Sequence, residues 1–397
     1  MRKIASSYIF AGDQPPIKNG ILVCEDDGTI IDIIDKKETF REEAGVEFYS
    51  GILVPGFINT HCHLELSHLK GKINEHLGIA GFIGKINTLR NEEPENINRS
   101  IQVADKKMWA AGISAVGDIS NSVLSLETKR QSKIYYHTFV EAFGFHPSRA
   151  ERAFNHAKKV SAEFRENHIP ASIVPHSPYS VSEPLFKAIS ENASDEKSIL
   201  CIHNQESKGE AEFFLKGKGP IADHLQFNLG LDTSHWRPAG QTSLSFVISK
   251  LPAENQLILV HNTFTQKTDI ETLKKKRLPE NTFLALCPNS NLYIEDQLPP
   301  VNLFKDEGFN ICFGTDSLAS NHQLSVLSEL ITVQLNFPDI ELMKLFTWAT
   351  LNGAKALNIE KTFGSFEPGK KPGVNLVSGI DFERMKLTER SKVKRLI

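Results

Sequence analysis

Cysteine is sparse in this sequence: Cys24, Cys62, Cys201, Cys287 and Cys312 are scattered with no C-x-x-C pair. That spacing excludes a cysteine zinc cluster and suggests no disulfide framework, so a reducing compartment fits. Charge of one sign is also lacking, with a net charge of −3. The single basic run, Lys274-Lys275-Lys276-Arg277, reads as a solvated helix end, so there is no field to attract nucleic acid or an anionic membrane. No uninterrupted apolar run reaches membrane-spanning length. Nor does an apolar stretch follow the charges of Met1-Arg2-Lys3-Ile4-Ala5-Ser6-Ser7. The expectation is a cytoplasmic chain with no nucleic-acid or membrane partner; a homodimer stays open.

What is present suits a large core. Hydrophobic residues make up 40% and charged residues 23% of 397 residues, enough to fold without covalent staples. The two ends are β-rich. Near the start, Tyr8-Ile9-Phe10, Gly20 to Cys24 and Thr29 to Ile34 read as short strands separated by Pro15-Pro16 and Asp26-Asp27-Gly28. Near the end, the turn Gly364-Ser365-Phe366-Glu367-Pro368-Gly369-Lys370 precedes Val374-Asn375-Leu376-Val377.

Between them apolar runs recur, and each halts at a polar residue or cysteine. They close at His176, His203, His261, Cys287 and Asp316, at intervals of 27, 58, 26 and 29 residues. One strand–helix unit fills each interval except the second, which requires an insertion or extra helices. Earlier runs over Ile52 to Thr60, Ile113 to Asp118 and Ile134 to Glu141 bring the strands to eight, with amphipathic helix candidates at 150–167, 183–195 and 323–335. The predicted architecture is an α/β (β/α)₈ barrel over 55–352. Residues 1–54 and 353–397 are expected to form a small composite β-sandwich.

Barrels of this kind carry their chemistry at the C-terminal ends of the strands, and the histidines and aspartate of this chain fall there. On a strand, residues i and i+2 face one side, so His61 and His63 can both address one metal ion. His203 and Asp316 end other strands aimed at the same mouth. Three imidazoles and a carboxylate, with one position left for water, suit a single catalytic divalent ion, zinc first and iron as the alternative. Such an ion lowers the pKa of bound water and makes hydroxide available. Glu206, one turn beyond His203, can carry the water proton to a leaving or ring nitrogen. His261 can orient the hydroxide. His176 is placed to touch substrate rather than metal.

These residues resemble the amidohydrolase superfamily, in the branch of adenosine-type, S-adenosylhomocysteine and aminodeoxyfutalosine deaminases and triazine chlorohydrolases. The stretches that carry the resemblance are Val54 to His63, His176-Ser177-Pro178-Tyr179, His203-Asn204-Gln205-Glu206, His261-Asn262, Cys287-Pro288-Asn289-Ser290-Asn291 and Gly314-Thr315-Asp316-Ser317. His63-Leu64-Glu65-Leu66-Ser67 followed by Gly81-Phe82-Ile83 is most similar to the aminodeoxyfutalosine deaminases. The resemblance implies substrate contacts from Glu65, Asn289 and Ser317, although relatives commonly carry arginine where this chain has Asn289. It also implies one metal, because the fourth strand ends in His176 where binuclear members carry a carboxylated lysine. The other zinc deaminase design, H-x-E with P-C-x-x-C, is absent.

The expected activity is hydrolytic deamination of an aminated heterocycle, an adenosine derivative such as aminodeoxyfutalosine, by metal hydroxide held by His261 and Asp316. A guanine or triazine hydrolase acting on a C–N or C–Cl bond is the alternative, and a non-catalytic scaffold a remote one. In the long interval after His203, Trp236 and Arg237 are expected to stack on a substrate ring and pair with its carboxylate.

Overall fold

The computed structural model describes residues 1–36 and 44–397. The first strands are β1 (Arg2–Ile9), β2 (Ile17–Lys18), β3 (Ile21–Cys24), β4 (Ile30–Ile34) and β5 (Val46–Pro55). The parallel strands follow: β6 (Phe57–Cys62), β7 (Ile113–Ser120), β8 (Tyr135–Ala142), β9 (Ala171–Pro175), β10 (Leu200–Asn204), β11 (Leu257–His261), β12 (Thr282–Leu286) and β13 (Asn310–Phe313). The last two are β14 (Val374–Ser378) and β15 (Lys392–Arg395).

Strands β6 to β9 form one parallel sheet and β10 to β13 another. Backbone bonds join them at both seams. His203 N donates to His176 O (3.1 Å) beyond β9, while Thr315 N and Asp316 N both donate to His61 O (3.0 and 3.1 Å) between β13 and β6. The eight strands thus make a barrel. Period-two alternation sorts each strand between two apolar environments. Ile258 and Val260 of β11 meet Cys201, Phe283 and Cys312 in the lumen, while Leu257 and Leu259 face the surrounding helices. Both faces are buried, which is why these strands read as unbroken apolar runs.

The helices at Ala150–Glu166 and Glu183–Glu196 follow the expected ones closely, and the third runs Val326–Asn336. The long interval after His203 holds helices Lys208–Lys216 and Pro220–Asp223, a π-helical turn His224–Asn228, and helix Ser243–Lys250. The remaining seven strands form one sheet, in which β14, from the far end of the chain, pairs antiparallel with β5.

Two readings of the sequence differ from the structure. The run Ile52 to Thr60 is not one strand: β5 ends at Pro55 in the seven-stranded sheet, and β6 begins at Phe57 in the barrel. Gly56 is the corner between them. A Cβ there would lie 1.8 Å from Ser114 Oγ and 2.4 Å from Pro372 O, so only glycine lets the two sheets approach this closely. The basic run is also not wholly solvated. Arg277 is buried and donates to the carbonyls of Pro252 and Asn255, and burial lowers its pKa to about 10.

Candidate active site

At the C-terminal mouth of the barrel, four side chains converge. His63 Nε2 lies 3.1 Å from His61 Nε2 and 3.3 Å from His203 Nε2. Asp316 Oδ1 lies 3.7 Å from His61 Nε2 and 3.3 Å from His63 Nε2. All four residues are buried or nearly so, and each offers one donor atom within 4.8 Å of the others. Two nitrogens bound to one ion at the tetrahedral angle with bonds of about 2.0–2.1 Å stand roughly 3.3 Å apart. The donor set and its spacing therefore fit a divalent cation.

The strands and loops fix each donor. The pairing of β6 with β7 shifts register between Asn59 and Cys62, just where His61 sits. His203 Nδ1 donates to His176 O at 2.8 Å, leaving Nε2 as the lone pair that faces His63. Asp316 has φ 55°, and its Oδ2 accepts from Ser290 Oγ (2.6 Å) and Ser320 Oγ (2.8 Å), which turns Oδ1 to the histidines. Burial alone would push the Asp316 carboxyl up; the facing His63 and His261 and the Ser290 hydroxyl outweigh it and hold it below its ordinary range. Burial lowers the pKa values of His61, His63, His203 and His261, so these imidazoles are neutral at neutral pH.

Glu206 and His261 stand beside this group. Alternation along β11 would send His261 outward with Leu259, but φ of 71° at His261 and 55° at Asn262 breaks the alternation. His261 Nδ1 bonds Asn291 Oδ1 at 2.7 Å, and its Nε2 lies 3.5 Å from Glu206 Oε1 with no closer partner. Gln205 turns the chain with φ 46°, anchored by Glu210, Asp269 and Thr265. The next residue, Glu206, thereby re-enters the cavity, where burial raises its carboxyl pKa to about 8.

Of these groups His63, His203, Glu206 and Asp316 form the floor of a cavity of about 460 Å³. His176, Glu65 and Ser317 line it, as does the apolar wall of Phe82, Ile83 and Phe145, and the inserted segment covers it with Ile221, Leu225 and Leu229. Glu65 accepts from Ser122 Oγ (2.7 Å) and Asn121 N (3.2 Å). Arg90 and Arg149 also line it, and neither pairs with a carboxylate among the described residues.

Three candidates from the sequence lie elsewhere. Asn289 turns away to Ser328, Glu329 and Thr332. Trp236 stacks on Phe213 at 3.9 Å between ring centroids, within an apolar cluster. Arg237 is exposed and donates to the carbonyls of Ser234 and Trp236. Both fall outside the cavity lining because the segment folds back on its own helix. The residues that sequence reasoning passed over are Ser290, Asn291, Glu141, Arg90 and Arg149. Ser290 and Asn291 adjoin Asn289 in the same Cys-Pro-Asn-Ser-Asn stretch. Helix Pro288–Glu295 rotates successive side chains by about 100°, so three neighbours take three directions. Glu141 did carry a signal, since it ends the run from Ile134 as the histidines end theirs.

Among proteins of similar sequence, the adenosine deaminase of Helicobacter pylori is 29% identical over 334 residues, 83% of this chain and 79% of its own. Among solved structures, the aminofutalosine deaminase of Helicobacter pylori in complex with methylthio-coformycin aligns over 100% of both chains with a TM-score of 0.81 at 23% identity. The atrazine chlorohydrolase of Arthrobacter aurescens, complexed with zinc, aligns over 98% of this chain and 93% of its own with a TM-score of 0.76 at 16% identity. The amidohydrolase family model matches residues 52–395, nearly the whole chain, and with the barrel and its His-His-His-Asp mouth this protein belongs to that family.

Proposed function

We propose that this protein hydrolytically deaminates an amino-substituted heterocycle, an adenosine derivative of the aminodeoxyfutalosine type. The observation that carries the reading is the buried convergence of His61, His63, His203 and Asp316 beside Glu206 at the floor of an apolar cavity. We assign the four as ligands of one zinc ion, with iron as the alternative. When bound, the ion lowers the pKa of the attacking water toward neutrality. Beside the charge of a bound ion Glu206 would be held ionised, and it would take a proton from that water and deliver it to the ring nitrogen next to the carbon attacked. His261, fixed through Nδ1 on Asn291, accepts a hydrogen bond from the water at Nε2. The new C–O bond would form, the proton of the added hydroxyl would pass to the exocyclic nitrogen, and the exocyclic C–N bond would break to release ammonia and leave a ring carbonyl. Water is kept from the ring by the apolar wall and the inserted segment.

On the substrate side, His176, Glu65 and Ser317 are read as contacts from the cavity wall. The carboxylate role expected of Arg237 fits Arg90 and Arg149 instead, since they line the cavity without a partner carboxylate. We read residues 55–352 as the barrel unit and 1–54 with 353–397 as the small β unit, and place the protein in the cytoplasm. No helix among the described residues is long and apolar enough to cross a membrane.

The test is an ammonia-release screen of the metal-loaded protein against adenosine, its 5′-substituted derivatives, guanine, cytosine and chlorinated triazines. Release from the adenosine series with preference for a carboxylated 5′ substituent is expected. Chloride release from a triazine, or ammonia from guanine alone, would replace this reading with the related hydrolase.

A further inference from the structure

Glu141 lies one residue before the end of β8 with its side chain almost fully buried, and no strong partner satisfies it. Oε1 lies 3.4 Å from His203 Nδ1, and Oε2 is 3.5 Å from Asn121 Nδ2. A carboxyl group so placed is costly unless it serves something. Glu141, His176 and His203 form a second group whose donor atoms lie within 4.8 Å of one another, and it shares His203 with the first group. A second cation held between Glu141 and His203 through the nitrogen that faces Glu141, Nδ1, would need that nitrogen as a lone pair. That nitrogen already donates its proton to His176 O at 2.8 Å, so the same imidazole cannot serve both groups without losing both protons.

We propose that Glu141 is a positioning residue for the metal centre: its carboxylate faces the Nδ1–H of His203, fixes the ring's tautomer and rotation, and so aims Nε2 at the ion. The inference rests on reading His203 as a metal ligand. The carbonyl of His176 takes the proton and sets the ring plane, while the carboxyl of Glu141, 3.4 Å from the same nitrogen, strengthens Nε2 as a donor once a cation draws on it. The Asn121 amide, at the end of the neighbouring strand, steadies the other oxygen.

The test compares Glu141→Leu and Glu141→Gln with the unaltered protein, measuring bound zinc by elemental analysis, zinc release to a chelator, and the melting temperature of the metal-free chain. Glu141→Leu removes the acceptor and is expected to weaken zinc binding about 10–100-fold. It is also expected to leave the metal-free melting temperature equal or higher, because a buried carboxyl has become a hydrocarbon. Glu141→Gln keeps an acceptor oxygen and should retain zinc within a few-fold of the unaltered protein. A purely structural role would lower the melting temperature in both variants and leave zinc release unchanged, which overturns the proposal. Two zinc ions in the unaltered protein and one in Glu141→Leu would also overturn it, by making Glu141 a ligand. If the unaltered protein holds no stoichiometric ion, the metal reading itself fails and the inference falls with it.

Discussion

At the scale of single residues, the division of labour rests on which oxygen or nitrogen is already committed. Ser290 and Ser320 occupy one oxygen of Asp316, and Asn291 occupies one nitrogen of His261. Glu206 has no comparable commitment, so its substitution tests chemistry apart from binding. Glu206→Gln is expected to keep the ion and lower kcat by roughly 10²–10⁴; near-normal turnover would remove it from the mechanism. His137 gives a pH effect away from the metal group. It bonds Ser172 Oγ, and burial lowers its pKa from 6.5 to about 4. Above pH 6.5 both folded and unfolded chains hold it neutral. As pH falls from 6.5 toward 4, the unfolded chain binds a proton that the folded chain refuses, so folded stability is lost across that window and levels off below it. At pH 5 the loss is roughly 2 kcal/mol. Denaturant titration at pH 7 and pH 5 should show His137→Phe losing less stability than the unaltered protein by about that amount, and an equal loss would refute it. At this scale the convergence of His61, His63, His203 and Asp316 was legible because strand ends announce themselves in sequence. The directions of Asn289, Ser290 and Asn291 were not, because they depend on where a helix starts within one residue.

The elements show why a continuous apolar run can hide two strands. Ile52 to Thr60 has the composition of a single buried strand, and nothing in the hydrophobic pattern marks Gly56 as a corner. Only the approach of Ser114 and Pro372 from distant segments makes that position exclusive. Gly56→Ala should cost about 1–3 kcal/mol by overpacking, read as a lowered denaturation midpoint; an unchanged midpoint would mean the corner can open. The inserted segment after His203 shows the converse. Its existence followed from the doubled interval, yet its course did not, because Trp236 finds its partner in Phe213 and Phe214 of the segment's first helix, Lys208–Lys216. An aromatic beside an arginine looked like a substrate clamp; local packing claimed the ring, and the arginine was left on the surface.

For the whole molecule, the barrel was readable from strand spacing, since each unit must span one strand, one helix and two turns. The closing seam between β13 and β6 was not, because it depends on a few backbone bonds between segments more than 200 residues apart, such as Asp316 N to His61 O. That seam places first-strand and last-strand donors side by side, so the ion should act as a cross-link of the closed ring. Chelation is expected to lower the melting temperature by a few degrees and zinc to restore it. Identical melting curves with and without chelator would argue against an ion shared across the seam.

The pairing of β14 with β5 has a consequence in time rather than in energy. During synthesis, β5 leaves the ribosome with one edge lacking a partner until more than 300 further residues have been made, and Arg2 meets the carbonyl of Leu396 across a separation of 394 residues. The first strands must therefore wait, half-paired, while the barrel is assembled behind them. Such distant contacts make folding slow and leave a strand edge open to intermolecular pairing in the interval, so nascent chains stalled short of Val374 would be the aggregation-prone species, and chaperone demand should fall off sharply once the final strands emerge.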